Sequence, residues 1–263
     1  MKKIGLVVKD DSRARALAET VRKYLVSRGV EVSIDMEETG ECHIDKMDVE
    51  LFVVLGGDGT ILKTAAKARN KEIPILGVNF GTTGFLTQIE PDRWKEILDH
   101  VLSGEFALEE RAKLEVRAAE KIGSALNEVA LVSATPVEIL HMELWVDGEK
   151  VQDMKADGVI VSTPTGSTAY SRSCGGPVID PRVECFVITS ICPFLDGIKS
   201  LVVPQTSTIE VKLRGKSSGL VVVDGEMKMP LPLGQSAFFR LSKERARFVK
   251  TEYGFYSKLR ERR

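Results

Sequence analysis

The sequence predicts an α/β protein: an N-terminal doubly wound parallel sheet domain, residues 1–107, and a C-terminal β-rich layered sandwich domain, residues 108–263. Two observations lead to this fold class. In the first part, apolar runs alternate with segments of helical periodicity, which is typical of a parallel sheet covered by helices. After about residue 107 the hydrophobic period changes to two, which is typical of antiparallel strands.

The N-terminal domain reads as strands and helices in alternation. Residues 4–8 are a buried-type strand, and Asp11 or Ser12 can cap a helix that Gly29 ends. The next strand begins at Val30. The later elements are strands over 51–55 and 73–78 and helices over 60–68 and 92–102.

In the C-terminal domain, Asp147-Gly148 between apolar runs is the strongest hairpin signal. A turn at 121–123 is expected to lead into an apolar run over 125–132. The last residues, 253–263, are expected to form a helix that packs back on the first domain rather than a membrane or nucleic-acid arm. Further strands are predicted over 114–118, 186–191, 209–213 and 220–223, at Phe238-Phe239 and at Phe248-Val249.

Composition and charge exclude several classes of protein. Net charge is −1, from 37 basic and 38 acidic residues, so nucleic acid is not expected as a partner. No run of 18 apolar residues occurs and the N-terminus lacks a signal pattern, so we expect a cytoplasmic protein without a membrane partner. The four cysteines show no C-x-x-C spacing, and Cys42-His43, the one adjacent metal-type pair, does not by itself indicate zinc.

The stretch L-F-V-V-L-G-G-D-G-T, residues 51–60, places an acid among three glycines after a buried strand. Ligands of doubly wound folds bind at that end of the sheet, and the start of a helix there suits a phosphate. Asp58 is therefore either the N-cap of the helix or a residue of the chemistry. The loop matches neither the Walker pattern nor the G-x-G-x-x-G dinucleotide pattern.

Three further segments place polar groups in a glycine loop, within an apolar run or directly after a strand. The loop N-F-G-T-T-G-F-L, 79–86, brings two more glycines to the same sheet edge, and its Phe85 is either core or a stacking surface for a planar ring. Asn127 and Glu128 interrupt an apolar run, where burial requires partners. Eight hydroxyl residues among twelve, 162–173, follow a strand and precede Gly175-Gly-Pro177, so we expect this loop to be held between core segments rather than solvated.

These four segments, in this order, resemble NAD kinase, which phosphorylates the 2′-hydroxyl of the adenosine ribose of NAD to give NADP. The match runs from residue 51 to about residue 226. G-G-D-G-T is shared with phosphofructokinase-like and diacylglycerol kinase-like proteins, whereas D-G…S-T-P-T-G-S-T-A-Y-S…G-G-P makes the resemblance specific.

The resemblance implies a role for each matching residue. Asp58 would accept the proton of the 2′-hydroxyl, and Gly59 would line the same loop. Asn127 and Glu128 would hold the ribose and adenosine end, while Asp157 would meet the nicotinamide side of a dinucleotide in a neighbouring subunit. The remaining positions are two basic residues that read equally as surface lysines, Lys63 and Lys155, and the loop around the adenine, Thr165, Thr168, Ala169, Tyr170, Ser171, Arg172 and Ser173.

The sequence departs from the family pattern at three places. Phe194 stands where a histidine is common, and Lys199-Ser200 stands where an Arg-Pro pair is common. Glu226 replaces the usual glutamine after Asp224-Gly225 and adds a negative charge that bears on which dinucleotide form is preferred.

The resemblance further implies NAD and ATP or polyphosphate as substrates, Mg²⁺ or another divalent metal with the phosphoryl donor, and a homo-oligomer. Two alternatives remain: another kinase of the same superfamily, and a non-catalytic dinucleotide sensor. A serine hydrolase is disfavoured, because G-K-S-S-G, 215–219, lies between two predicted strands and reads as a hairpin turn.

Overall fold

The structure, a computed structural model, describes residues 1–36, 43–68, 72–80, 84–87, 89–194, 199–252 and 254–261. The chain packs into two compact units. The first unit is Met1–Arg111 with Arg245–Arg263, and the second unit is Ala112–Glu244. The boundary expected after residue 107 falls inside the first unit, directly before a strand that begins at Leu108 and continues into the second unit.

The first unit contains a parallel sheet in the order β2-β1-β3-β4. Phe248, near the end of the last strand of the chain, pairs in parallel with Ile75 on β4. The elements are β1 Lys3–Val8, α1 Ser12–Ser27, β2 Glu31–Met36, a 3₁₀ turn Ile44–Lys46, β3 Leu51–Gly56, α2 Asp58–Lys67, β4 Ile75–Asn79 and α3 Trp94–Ser103.

Local signals account for the ends of α1 and α3. Asp11, one of the two candidate caps, caps α1, since its carboxylate accepts the N–H groups of Arg13 and Ala14. The left-handed Gly104 (φ 81°) ends α3. No helix in the described part of the chain is long and apolar enough to cross a membrane.

The second unit is built from antiparallel strands, in the order β14-β13-β7-β9-β8-β12-β15, with β10 and β11 extending from β9 and with β5 and β6 extending from β15. Most of its buried apolar side chains form one cluster, and Ala130, Ile160 and Ile191 form a smaller second cluster. The elements are β5 Leu108–Ala118, β6 Lys121–Ala125, β7 Glu128–Ser133, β8 Leu140–Val146, β9 Glu149–Ser162, α4 Tyr170–Ser173, β10 Cys185–Pro193, β11 Ser200–Pro204, β12 Ile209–Arg214, β13 Gly219–Val223, β14 Met227–Leu231 and β15 Ser236–Val249.

The predicted fold class is confirmed: an N-terminal α/β unit with a parallel sheet is followed by a β-rich unit. The predicted hairpin at Asp147-Gly148 is also confirmed, with φ of 51° and 84° at its two turn residues. A short helix, α5 Phe255–Glu261, belongs to the first unit.

Three local predictions were wrong. Residues 121–123 lie in β6, because the turn occurs earlier, at Ala119 with its φ of 53°. Residues 215–219 join β12 to β13, but these strands pair with other strands, so the connection is not a hairpin. Phe238-Phe239 and Phe248-Val249 belong to one continuous strand, β15, and not to two.

Candidate active site

Asp58 stands at the start of α2, directly after the buried strand β3. The N-cap of this helix is Gly57, and Asp58 is the first helical residue. A Cβ on Gly56 would lie 2.5 Å from the Thr60 hydroxyl oxygen, so the tight turn requires glycine there. Because Gly57 is the N-cap, the alternative in which Asp58 caps its own helix is wrong. The Asp58 carboxylate is available for another contact.

That contact is with the second glycine loop. The Asp58 carboxylate accepts three backbone N–H groups, from Phe85 at 2.8 Å, Leu86 at 2.9 Å and Thr87 at 3.3 Å. A Cβ on Gly84 would lie 2.1 Å from Asp58 Oδ1, so only glycine allows this approach. The structure thus brings the two glycine loops together, as the sequence predicted; residues 81–83 of the second loop lie outside the described residues.

The other candidate residues of the first unit differ in their exposure. Gly59 is exposed, with open space where a side chain would stand. Lys63 is half-buried one turn further along α2. Phe85 is half-buried, and its ring centroid lies 5.9 Å from that of Phe255 on α5, so Phe85 serves at least partly as a packing residue.

In the second unit, Asn127 and Glu128 lie at the turn from β6 to β7 and not within one strand. The Asp224 carboxylate accepts the N–H groups of Leu126, Asn127 and Glu128 at 2.7, 2.9 and 3.0 Å. Asp224 itself has a left-handed backbone, with φ of 46°, in the turn between β13 and β14. One aspartate therefore holds the whole turn that carries Asn127 and Glu128.

Asp224 is a residue that the sequence reasoning missed as a site component. The sequence does contain a signal, because Asp-Gly after an apolar strand marks a turn in which both residues adopt positive φ. Nothing in the sequence indicates that the carboxylate of this turn reaches residues almost a hundred positions earlier.

The hydroxyl-rich loop packs against the same turn. Thr163 donates its N–H to the Asn127 carbonyl at 2.9 Å and its hydroxyl to the Leu126 carbonyl at 2.6 Å. A Cβ on Gly166 would lie 2.1 Å from the Asn127 carbonyl oxygen, so glycine is required at this contact. The expectation that the loop is held between core segments is confirmed.

Some hydroxyls of this loop donate to carbonyl groups within the loop itself. Ser167 donates to the Pro164 carbonyl at 2.6 Å, and Thr168 donates to the Thr165 carbonyl at 3.3 Å. Ser171 is fully buried and shares a 3.0 Å hydrogen bond with the hydroxyl of Thr189. The Ser171 hydroxyl is therefore enclosed by protein, and the assignment of this residue to a ligand stays a prediction.

The remaining predicted residues differ in accessibility. Thr165 and Thr168 are buried, and Ala169 is half-buried. The exposed ones are Lys155, Asp157, Tyr170, Arg172, Ser173 and Glu226.

Glu128 has an unusual electrostatic environment. Burial raises the pKa of its carboxyl to about 8, and the negative charge of Asp224 contributes to the rise. The N–H of Tyr170 donates to Glu128 and opposes the rise. The other carboxyl oxygen, Oε2, is buried without a hydrogen-bond partner within the described residues, a state that a polar ligand group would relieve.

Burial also raises the pKa of Asp224, although the three N–H donors and the charge of Lys113 act in the opposite direction. Two carboxyl groups with raised pKa values thus lie beside each other at the turn. Perturbed acids of this kind are concentrated at functional sites.

No cluster of three or more metal-binding side chains occurs within the described ranges. Cys42 lies outside those ranges, and Cys174, Cys185 and Cys192 are free thiols.

Comparison with family models and comparison with known sequences indicate the same family. Two family models match the sequence: the ATP-NAD kinase N-terminal domain over residues 35–106 and the ATP-NAD kinase C-terminal domain over residues 126–251. An NAD kinase of Methanothermobacter thermautotrophicus is 43% identical over 273 residues, covering 100% of this chain and 96% of that protein.

Solved structures show the same similarity. The crystal structure of an NAD kinase from Archaeoglobus fulgidus in complex with ATP has a TM-score of 0.86 at 30% identity, covering 98% of this chain and 99% of that one. The structure of yeast NADH kinase complexed with NADH shares the fold, with a TM-score of 0.87 at 24% identity, covering 99% of this chain and 87% of that one.

Proposed function

Since this chain belongs to the NAD kinase family, we propose that it transfers a phosphoryl group from ATP to the 2′-hydroxyl of the adenosine ribose of NAD, which gives NADP and ADP. The observation that carries the proposal is the Asp58 carboxylate, which is turned away from its own helix and held at a glycine-lined turn. The similarity to NAD kinases along the full chain supports NAD as the acceptor.

Asp58 has the capacity to orient a hydroxyl. Its Oδ1 accepts two N–H groups, whereas Oδ2 accepts one. A carboxylate accepts about four hydrogen bonds, so Oδ2 retains a position for the ribose O–H. In the proposed step the 2′-oxygen forms a bond to the γ-phosphorus, the bridging bond to ADP breaks, and the proton passes to Asp58 late in a loose transition state.

The second unit is proposed to bind the dinucleotide. The buried Oε2 of Glu128, which has no hydrogen-bond partner among the described residues, supports a polar contact there, with Asn127 beside it on the same turn. We assign the accessible Tyr170 to the adenosine end and the exposed Asp157 to the nicotinamide side. Glu226, exposed on the Asp224 turn, is proposed to influence the choice between dinucleotide forms through its negative charge.

Gly59 and Lys63 are proposed as ligand contacts in the first unit, and Lys155 and the accessible residues of the hydroxyl-rich loop as ligand contacts in the second unit. Mg²⁺ is proposed to enter with ATP and to neutralise phosphate charge when bound. A cytoplasmic location and a homo-oligomeric state remain predictions from the sequence.

The test is an assay of the purified protein with NAD, Mg²⁺ and ATP, in which NADP is read with an NADP-specific dehydrogenase. We expect NADP to accumulate, and we would compare polyphosphate as donor under the same conditions. Binding of NAD without any NADP would contradict the proposal and favour a dinucleotide sensor. Turnover of diacylglycerol or fructose 6-phosphate in place of NAD would favour another kinase of the superfamily.

Asp58→Asn tests the proposed role of the carboxylate. The amide cannot take up the proton, so we expect kcat to fall by about a hundredfold or more while NAD affinity stays within a few fold. Asp11→Asn is the matched control: it makes the same change at the start of α1, where asparagine also caps well, and should leave kcat unchanged. Wild-type kcat in Asp58→Asn would remove this residue from the mechanism.

A further inference from the structure

Lys258, on α5, is a buried lysine of the first unit with a specific target. It is 8% exposed, and its Nζ donates to the Phe85 carbonyl at 3.0 Å and to the Thr87 carbonyl at 2.6 Å. These residues belong to the segment 84–87, whose N–H groups hold Asp58. We propose that Lys258 is a positioning residue for Asp58 and acts through this segment.

A single peptide group links the two charges. The Phe85 carbonyl and the Leu86 N–H belong to the same peptide unit; the carbonyl accepts from Lys258, and the N–H donates to Asp58 Oδ1 at 2.9 Å. The cation therefore lies at the negative end of this peptide dipole and the anion at its positive end. Hydrogen bonds arranged in such a chain polarise and strengthen one another.

Burial of the ammonium group indicates that this contact is specific. Removing an ammonium from water is costly unless hydrogen bonds compensate, and a lysine on a short helix would otherwise remain in solvent. The ring of Phe255, also on α5, lies 5.9 Å from the ring of Phe85. The helix α5 thus contacts the segment 84–87 through the ammonium group of Lys258 and the ring of Phe255. Asp58 binds N–H groups of the same segment.

This inference rests on the proposed function, because its effect is measured as NADP formation. In Lys258→Met we expect kcat to fall by about tenfold or more, because small displacements of a reacting group are costly, while KM for NAD changes by less than about threefold. Lys258→Gln keeps a donor without the charge and should lie between Lys258→Met and wild type. Arg260→Met removes a positive charge from an exposed position on the same helix and should leave kcat unchanged.

A double-mutant cycle separates positioning from general stabilisation. If Lys258 acts through Asp58, Lys258→Met should lower kcat far less in an Asp58→Asn background than in wild type. Hydrogen exchange of the amides in segment 84–87 should be faster in Lys258→Met and Lys258→Gln than in Arg260→Met.

The outcomes are distinguishable. Wild-type protein that makes no NADP would contradict the proposed function. Active wild-type protein combined with an unchanged kcat in folded Lys258→Met would overturn the role of Lys258, and so would equal losses in both backgrounds of the cycle. If Lys258→Met fails to fold, Lys258→Gln carries the same decision.

Discussion

At the scale of single residues, two aspartates, one in each unit, bind three consecutive backbone N–H groups with their carboxylates. Asp58 accepts the N–H groups of residues 85–87, and Asp224 accepts those of residues 126–128. Consecutive N–H groups that converge on one point form an anion-binding concavity. In both places the anion is a side chain of the protein, so each acid ties a distant segment to the turn on which the acid itself stands.

Asp224→Asn should weaken NAD binding without a direct ligand contact. Asparagine tolerates the positive φ but removes a charged acceptor, so part of the 126–128 turn loses its partner. We expect the Kd for NAD, from calorimetry, to rise by about tenfold and the free energy of unfolding in urea to fall by about 1–3 kcal/mol, the cost of leaving buried donors unpaired.

Asp147→Asn is the matched control for Asp224→Asn. Asp147 also has positive φ, and its carboxylate accepts the N–H of Thr208 in the turn of a hairpin. NAD affinity should be unchanged in Asp147→Asn. Equal NAD affinity in both variants would show that Asp224 does not organise the binding turn.

The sequence predicted Asp58 because its glycine neighbours and the preceding apolar strand are local signals. Asp224 was missed since its three partners lie 96 to 98 positions away, and sequence periodicity contains no information on such contacts. Ser171 was assigned to a ligand from its place in a motif, and only the three-dimensional packing shows that its hydroxyl faces Thr189.

At the scale of elements, the segment 84–87 and the start of α2 meet at Gly84. A methyl group there would lie 2.1 Å from Asp58 Oδ1 and 2.7 Å from its carboxyl carbon, so backbone or carboxylate must move. Burial of Gly84 leaves little room for that movement. The contact between the two elements therefore determines where the acid is presented.

Gly84→Ala should therefore impair catalysis. We expect kcat for NADP formation to fall by about tenfold or more, because the carboxylate is displaced. The control is Gly254→Ala, where an added Cβ meets no atom of the described residues within 4 Å and φ is not left-handed. Unchanged turnover in Gly84→Ala would mean that the two elements separate without consequence for Asp58.

Element prediction succeeded where the signal is local and failed where strand pairing decides. Asp147-Gly148 dictates its own turn geometry, and the sequence located that hairpin correctly. The connection 215–219 looked like a hairpin because it is a polar segment between two strands. β12 instead pairs with β8 and β15, and β13 pairs with β7 and β14, since partner choice depends on which faces the core buries.

At the scale of the whole molecule, the acids of the second unit make stability depend on pH. The pKa of Glu128 is raised to about 8 and that of Asp224 is raised as well, so the folded state holds more protons than the unfolded state. Stability contributed by these groups is then present at low pH. It is lost as pH rises from the unfolded value of Glu128, 4.5, through about 8.

Glu128→Gln should flatten this dependence. Glutamine resembles the protonated acid, so we expect the melting temperature of the variant to change less than that of wild type between pH 5 and pH 8, and to exceed it at pH 8. Glu120→Gln, at an exposed position in the same unit, should keep the wild-type profile. Parallel profiles for wild type and Glu128→Gln would contradict the raised pKa.

The first unit is assembled from two distant parts of the chain. Phe248 pairs with Ile75 in its sheet, and Lys258 binds the segment that holds Asp58. Both Phe248 and Lys258 follow the whole second unit in the sequence. During synthesis on a ribosome, the first unit is therefore complete only after Arg245–Arg263 has emerged. We expect nascent chains that stop after Glu244 to contain every residue of the second unit and yet to lack a finished first one.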